Sequence, residues 1–439
     1  MVKFNKEGIN NLQEKIDNEK FKNSFKLKQT DFTRNRKMNF KDVICYIINK
    51  KGLCTNMEIN NYFEKINSDN LISAQSLLDQ RKKLNPVAFF ELNKDYIKNF
   101  YNDFPNEVKT YNGYLVKAID GSDIEVPNSK KSKENYGYIN GDSENGIPRA
   151  SASCVYDVLN KYITTSTINP YRTSEMEMSR VQMQEDSEIS NKYKSIYVMD
   201  RGYVCIETMV FCLLTNKKFI IRLDSRAYTK ERSKITTNDE YIDFKYTKDR
   251  TAKRYFRDEN LRQYARELKS SNLRIVTHTL NTGEVEQLIT NLAIEEMNYE
   301  DIIYLYSLRW GIETTYYSLK EKLEMERFTS SNKIIVEQDF YSSILVFNMI
   351  SSMKKEAEEK IEKKKYKYEM KINDSMAIGL FKNEFILILL EEDKNKKNEM
   401  YEKLVTKISK FKIPIRKDRK FPVIFRADNK HSFNKLKNF

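Results

Sequence analysis

Histidine is nearly missing from this chain. Its 439 residues contain two, His278 and His431, so histidine-based catalysis and imidazole metal sites are all but excluded. Tryptophan occurs once, at Trp310. The five cysteines (Cys45, Cys54, Cys154, Cys205 and Cys212) are odd in number and form no CxxC pair. Neither disulfides nor a zinc site is expected, and most of these residues sit in apolar runs as small core members. No apolar run reaches transmembrane length, and the opening MVKFNKEGINNLQEK has no apolar leader region, so no membrane partner is expected. The expectation is a cytoplasmic, nucleoid-associated protein. The abundance of Lys, Asn and Ile suits a bacterium with an AT-rich genome. Any metal chemistry must rest on carboxylates, which select hard ions such as Mg²⁺.

What the chain does hold is charge. Lys plus Arg number 77 against 63 Asp plus Glu, for a formal net charge of +14 and a pI near 9.1. That balance suits a polyanion partner, although many basic proteins bind no nucleic acid. The length predicts two or three domains with ample core. The most informative stretch is Tyr304 to Leu323, YLYSLRWGIETTYYSLKEKL. Leu305, Leu308, Ile312, Leu319 and Leu323 recur at helical spacing, which predicts one buried side. Tyr306, Arg309, Glu313 and Lys320 lie beside that stripe, within an arc of about 60° at roughly 100° per residue. One reading is an exposed helix face with an Arg309–Glu313 pair worth only ~0.3–0.5 kcal/mol. The other is a polar line of an acid, two cations and a phenol at the edge of a core.

Two aspartates upstream favour the second reading. Tyr114 to Ile119 is a short β-favouring run that ends in Asp120-Gly121-Ser122, and Ser195 to Met199 ends in Asp200-Arg201-Gly202-Tyr203. An Asp at the end of a buried strand projects beyond the sheet, where catalytic acids of open sheets sit, although Asp-Gly turns are common for other reasons. Asp123 and Glu125 are nearby competitors. Residues 128–148 read as a loop or hairpin, 150–157 and 162–168 as strands, 175–193 as a polar helix and 218–223 as a further strand. The gap from Asp200 to Glu313 is the longer one and calls for an insertion. Within it, 241–247 and 273–280 are β-rich, and 286–293 reads as a short helix. The cations Lys245, Lys248, Arg250, Lys253 and Arg254, interleaved with Tyr246, Tyr255 and Phe256, suit a strand-tracking surface or a solvated hairpin. Before the first Asp, residues 40–50 and 68–84 predict helices, the second ending in Arg81-Lys82-Lys83 and stopped by Pro86. They fit either a helix-turn-helix or a plain bundle. After 354 come a charge-dense helix, a buried helix over 379–390 and a basic tail with Arg416, Lys417, Arg419, Lys420 and Arg426.

The spacing Tyr-x2-Arg-x3-Glu-x6-Lys at Tyr306, Arg309, Glu313 and Lys320 resembles the signature of the cut-and-paste insertion-sequence transposases called the IS-four family. Asp120 with the GS-x4-P that follows, and Asp200 in DRGY, resemble that family's first two acidic motifs. The resemblance implies an α/β fold: a ribonuclease-H-like catalytic core with a helical N-terminal domain, a β-rich insertion subdomain and a helical C-terminal region. The expected boundaries are 1–108 for a DNA-binding domain, 109–225 and 293–353 for the core, 226–292 for the insertion and 354–439 for the C-terminal region. It implies that Asp120, Asp200 and Glu313 bind two Mg²⁺ (or Mn²⁺) ions, and that Tyr306, Arg309 and Lys320 grip a terminal phosphate. It further implies cleavage at transposon ends through DNA hairpins and strand transfer into target DNA. The expected partners are terminal inverted repeats, target DNA and a second copy of the chain. In the family an insertion-domain tryptophan can hold a flipped base; here Trp310 lies in the signature stretch itself. A nuclease of the same fold that cuts without joining, and a non-catalytic DNA-binding descendant of a transposase, are the alternatives.

Overall fold

A computed structural model describes residues 1–34, 36–66, 71–139, 146–361 and 366–416. The first hundred residues are helical: α1 (Val2–Asp17), α2 (Glu19–Phe25), α3 (Phe40–Asn49), α4 (Thr55–Lys65), α5 (Ala74–Arg81) and α6 (Val87–Asp103). Local chemistry starts them. Asn39 accepts from the Asp42 amide while the Asp42 carboxylate accepts from the Asn39 amide, a capping box ahead of the apolar α3. Pro86 ends the preceding turn and stands at the start of α6.

The chain then builds a sheet. In order come β1 (Tyr114–Glu125), α7 (Lys130–Tyr136), β2 (Tyr138–Ile139), β3 (Ile147–Asp157), β4 (Tyr162–Pro170), α8 (Glu175–Ile189), β5 (Lys194–Met199), α9 (Ile206–Leu214) and β6 (Lys218–Arg222). They are followed by α10 (Thr229–Arg232), β7 (Asp239–Lys245), α11 (Glu259–Leu268), β8 (Ser270–Thr279) and β9 (Val285–Thr290). The strands run β2-β3-β1-β5-β6-β9-β8-β7 across one mixed sheet, with β4 also paired to β3. β1, β5 and β6 are mutually parallel, and the remaining pairs are antiparallel. Leu115, Val116, Ala118 and Ile119 are all buried, as expected of a strand covered on both faces. The strands of the 226–292 segment join the far edge of this same sheet.

Three local expectations change. Asp120 does not end a strand: β1 continues to Glu125 because its second half stays paired with β3 through Glu125↔Arg149. Residues 286–293 are not a helix, since Glu286–Thr290 lie in β9, hydrogen-bonded to β6 on one side and β8 on the other. The segment 128–139, expected as loop or hairpin, contains α7, which Ser129 caps through the Ser132 amide. Residues 140–145 of that segment, and the tail from 417 with Lys417, Arg419, Lys420 and Arg426, lie outside the described residues.

The signature stretch is also divided. It comprises α12 (Tyr299–Ser307), α13 (Trp310–Tyr317) and a π turn at Ser318–Lys322. At the first junction the Arg309 amide reaches back three residues to Tyr306, and at the second Leu323 reaches back five to Ser318, each at 3.0 Å. A tight turn followed by a wide one breaks the even angular step of an α-helix, so the predicted polar line does not extend to Lys320.

The chain closes with α14 (Lys333–Glu359), β10 (Met370–Ile372), α15 (Asp374–Leu390), α16 (Lys394–Lys410) and β11 (Lys412–Pro414). Phe4, Phe89, Leu345, Phe385 and Leu404 belong to one apolar core shared by the first helices and α14–α16. Arg81, read as a possible DNA-facing cation, is fully buried there. It pairs with Asp339 at 2.8 Å and donates to Gln338 at 3.0 Å, both on α14.

Candidate active site

The pairing of β1 with β5 ends at Ile119↔Met199. The next residue on each chain is an aspartate: Asp120, where β1 continues beside β3, and Asp200, where β5 gives way to a short turn. Parallel strands in register therefore bring together two acids that lie far apart in sequence. Asp120 is anchored by its own backbone: its carboxylate accepts from the Gly121 amide at 3.0 Å, and its carbonyl accepts from Tyr316 Oη at 2.9 Å. Tyr316 is on α13, so the helix carrying Glu313 is tied to the strand carrying Asp120. On α12, Tyr306 Oη donates to Asp200 at 3.3 Å.

Arg309, between the two helices, donates to Glu313 at 2.8 Å and stacks its guanidinium 5.7 Å from the Tyr306 ring centre. Its Nε is buried without a hydrogen-bond partner. A buried unpaired N–H costs about 1–3 kcal/mol, a cost that an acceptor reaching Arg309 Nε would remove. Burial pushes the Asp120 carboxyl up to about 7; Arg309 opposes the shift, and Glu175 and Glu313 add to it. Asp120, Asp200 and Glu313 thus share one electrostatic neighbourhood around Arg309.

Glu175 is the member the spacing did not suggest. It opens α8 after the Ser174 cap. A methyl group placed on Gly121 would come within 2.6 Å of its carboxylate oxygen. Burial raises the Glu175 carboxyl, with Asp123 and Asp200 adding to the effect. The one sequence hint was the glycine after Asp120, which leaves room for a side chain arriving from elsewhere.

These residues can be weighed against a divalent ion. The donors are all carboxylate oxygens, the set a hard ion takes. Among the described residues no three such groups are drawn tightly enough to form a ready metal cage. The donor type suits a hard ion, but the three acids are not gathered as ligands here, and Glu313 is engaged by Arg309.

The other expected contacts are dispersed. Lys320 donates to the Asp123 carbonyl at 2.5 Å and pairs with Glu326 at 3.5 Å, fastening the π turn to the end of β1. Trp310 stands 61% exposed on α13. Lys245, Lys248, Lys253 and Arg254 are exposed around the β7 end of the sheet. Arg250 is instead folded onto Phe244 and paired with Glu231 at 2.9 Å. Of the interleaved aromatics, Tyr246 and Phe256 are buried and Tyr255 is exposed.

Comparison with known proteins gives three findings. The chain matches no curated protein. A solved structure titled as a cryo-EM structure of piggyBac transposase in a synaptic complex with hairpin DNA aligns with 92% of this chain and 81% of its own. The identity is 10% and the TM-score 0.44, a likeness too slight to reason from. A family model described as a transposase DDE domain matches residues 111–349, from just before β1 to within α14. That match spans more than half of the sequence and contains all three acids, and the chain belongs to the DDE-domain transposase family.

Proposed function

We propose that this chain is a cut-and-paste transposase of the IS-four kind, with Asp120, Asp200 and Glu313 as its catalytic acids on a ribonuclease-H-like core. The single observation carrying this reading is the register of β1 and β5, which delivers Asp120 and Asp200 to one edge, with Tyr306, Arg309 and Glu313 on the helices above. The strand order β4-β3-β1-β5-β6, antiparallel then parallel, supports the core assignment.

Two Mg²⁺ ions held by the three acids would supply charge neutralisation at the phosphorus and activation of the attacking oxygen. The chain's own residues do the positioning. Arg309 presents a planar donor fork to a phosphate, Tyr306 orients Asp200, and Tyr316 holds the α13 helix at Asp120. Lys320 braces the turn that ends this helix, and as a point charge it would join the phosphate once released from Glu326. End cleavage through a DNA hairpin, strand transfer, a dimer on DNA and a helical DNA-gripping unit over 1–108 complete the proposal. All four follow from the family resemblance.

The test is Glu313→Gln. The variant should bind transposon-end DNA as the parent does and show no Mg²⁺-dependent cleavage. Cleavage at the parental rate would overturn the assignment. A strand-transfer assay on a precut end separates a transposase from a nuclease that cuts without joining.

A further inference from the structure

Beside α13 lies a cavity of about 1070 Å³. Its wall includes Thr314, Tyr317 and Ser318 of the signature stretch, the β3–β4 turn, Ile361 and residues 366–371. Several of its charges are already satisfied: Lys322 and Lys354 both pair with Asp374, and Glu107 pairs with the Met1 amine. Among the described residues five lining cations, Lys109, Lys161, Lys355, Lys367 and Lys371, have no carboxylate in ion-pair range, and Glu358, Glu359 and Glu369 share the wall with them. Lys109, Lys161 and Lys355 gather at the β3–β4 turn.

The side chains of Lys109 and Lys161 are exposed, on a backbone that is fixed. The fully buried Asn160 accepts from the Lys109 amide at 2.8 Å and donates to the Lys109 carbonyl at 2.9 Å. This two-point clamp sets Lys109 beside Lys161, the residue after Asn160. Asp157 fixes the clamp by accepting from the backbone and side-chain nitrogens of Asn160, each at 2.9 Å. Lys161 itself sits at φ +57°, a left-handed position that a lysine adopts at some cost and that Asn or Gly fills more readily. Lys355 lies over the Tyr162 ring at 3.8 Å from its centre. Burial lowers its ammonium to about 7; Asp157 opposes the shift, and Lys109 and Lys161 add to it. Lys109 and Lys161 disfavour a third charge at Lys355, and an anion between the three would restore it.

We infer that Lys109, Lys161 and Lys355 form a second phosphate-binding site, which takes the sugar–phosphate backbone of a DNA strand, with Tyr317, Tyr366 and Tyr368 offering ring faces to its bases. A single phosphate would leave most of the cavity empty. The tyrosines are 59%, 37% and 46% exposed on the same wall, each with a lysine (Lys322, Lys412 and Lys367) over one face and the other face left for a base, and cations beside aromatic faces are how single strands are held without sequence preference. The site is independent of the acids and needs no metal.

The test titrates the full chain, in chelator, with a labelled single-stranded oligonucleotide of mixed sequence and with its duplex, across a range of salt. Removing one lysine–phosphate pairing should reduce the salt slope by about 0.7 for a single strand. The Lys109→Ala/Lys161→Ala double variant should therefore show a slope shallower by roughly 1.4. The charge-matched pair Lys394→Ala/Lys403→Ala, exposed on α16, should change it little. Lys355→Met, a near-isosteric change, should act in the same direction as the first double variant. Equal slopes for the two double variants overturn the inference. So does the case in which inorganic pyrophosphate raises the melting temperature of the parent alone while DNA binding is unaffected, since the site would then take small phosphates. Because chelator removes cleavage from the readout, this result is separate from the Glu313→Gln test.

Discussion

Lys117 lies three residues before Asp120 on β1, yet its ammonium never meets solvent. It donates to Asp186 at 3.0 Å and stands 4.0 Å from Asp157, with all three side chains fully buried. Tyr101, Tyr197 and Thr164 complete the network on these two carboxylates. The arrangement ties β1 to α8 and to the β3–β4 turn, and so fixes the strand that carries Asp120. Lys117→Met removes the one cation and leaves two buried carboxylates, a loss of about 3–5 kcal/mol. Urea unfolding monitored by circular dichroism would show it as a lower midpoint at an unchanged slope; a shift below about 1 kcal/mol would mean that the carboxylates are neutral or hydrated. Trp310 makes the opposite case. With 61% of its surface exposed, Trp310→Ala should change stability by less than about 0.5 kcal/mol. If it stacks on a base, DNA affinity should fall by about 1–3 kcal/mol in an anisotropy titration; unchanged affinity would remove it from the interface.

At the scale of elements, the π turn and α15 meet through one carboxylate. Asp374, the first residue of α15, accepts from Lys322 of the π turn and Lys354 of α14. Burial alone would raise its carboxyl, but Lys354 and Lys322 outweigh that and hold it at about 2. A folded-state value below the unfolded one means that the stabilisation is present above the unfolded carboxyl range, near 3.9, and is lost as pH falls toward 2. In melting curves taken across that acid window, Asp374→Asn should show a flatter decline than the parent, from a lower starting point at neutral pH. Parallel declines for the two proteins would show that the staple is not formed in solution.

The molecule as a whole has no clean seam at the edges of the matched region. Residues 111–349 stop inside α14, and the core that α14 completes also contains Phe4, Phe89, Phe100, Phe385 and Leu404. Arg81 adds a buried ionic tie across the same junction. A fragment of residues 111–349 should therefore expose much of β4 and α14 and aggregate, whereas the full chain should unfold with the two regions coupled. A soluble fragment with native-like near-ultraviolet dichroism would refute this.

The residues of the proposed site were legible in the primary structure, because acids next to β-favouring runs and a helical spacing leave a local mark. Asp120 and Asp200 each follow a short apolar run, and the Tyr306–Arg309–Glu313 spacing needs only helical backbone to converge. Local composition likewise predicted α3, α8, β3 and β6, as an apolar helix, a polar helix and two short strand-forming runs. Other features depended on partners far away in sequence. β1 runs past Asp120 because β3 remains alongside, residues 286–290 become strand because β6 and β8 lie on both sides, and Glu175 reaches Gly121 from the start of another helix. Lys320 turned to the Asp123 carbonyl once a five-residue back-bond replaced the regular helix, and Arg81 became a core residue because Asp339 was there to meet it. Spacing along the chain determined which chemistry was available; packing between distant segments decided which charged groups took part, since a charge is costly to bury until a remote partner pairs with it.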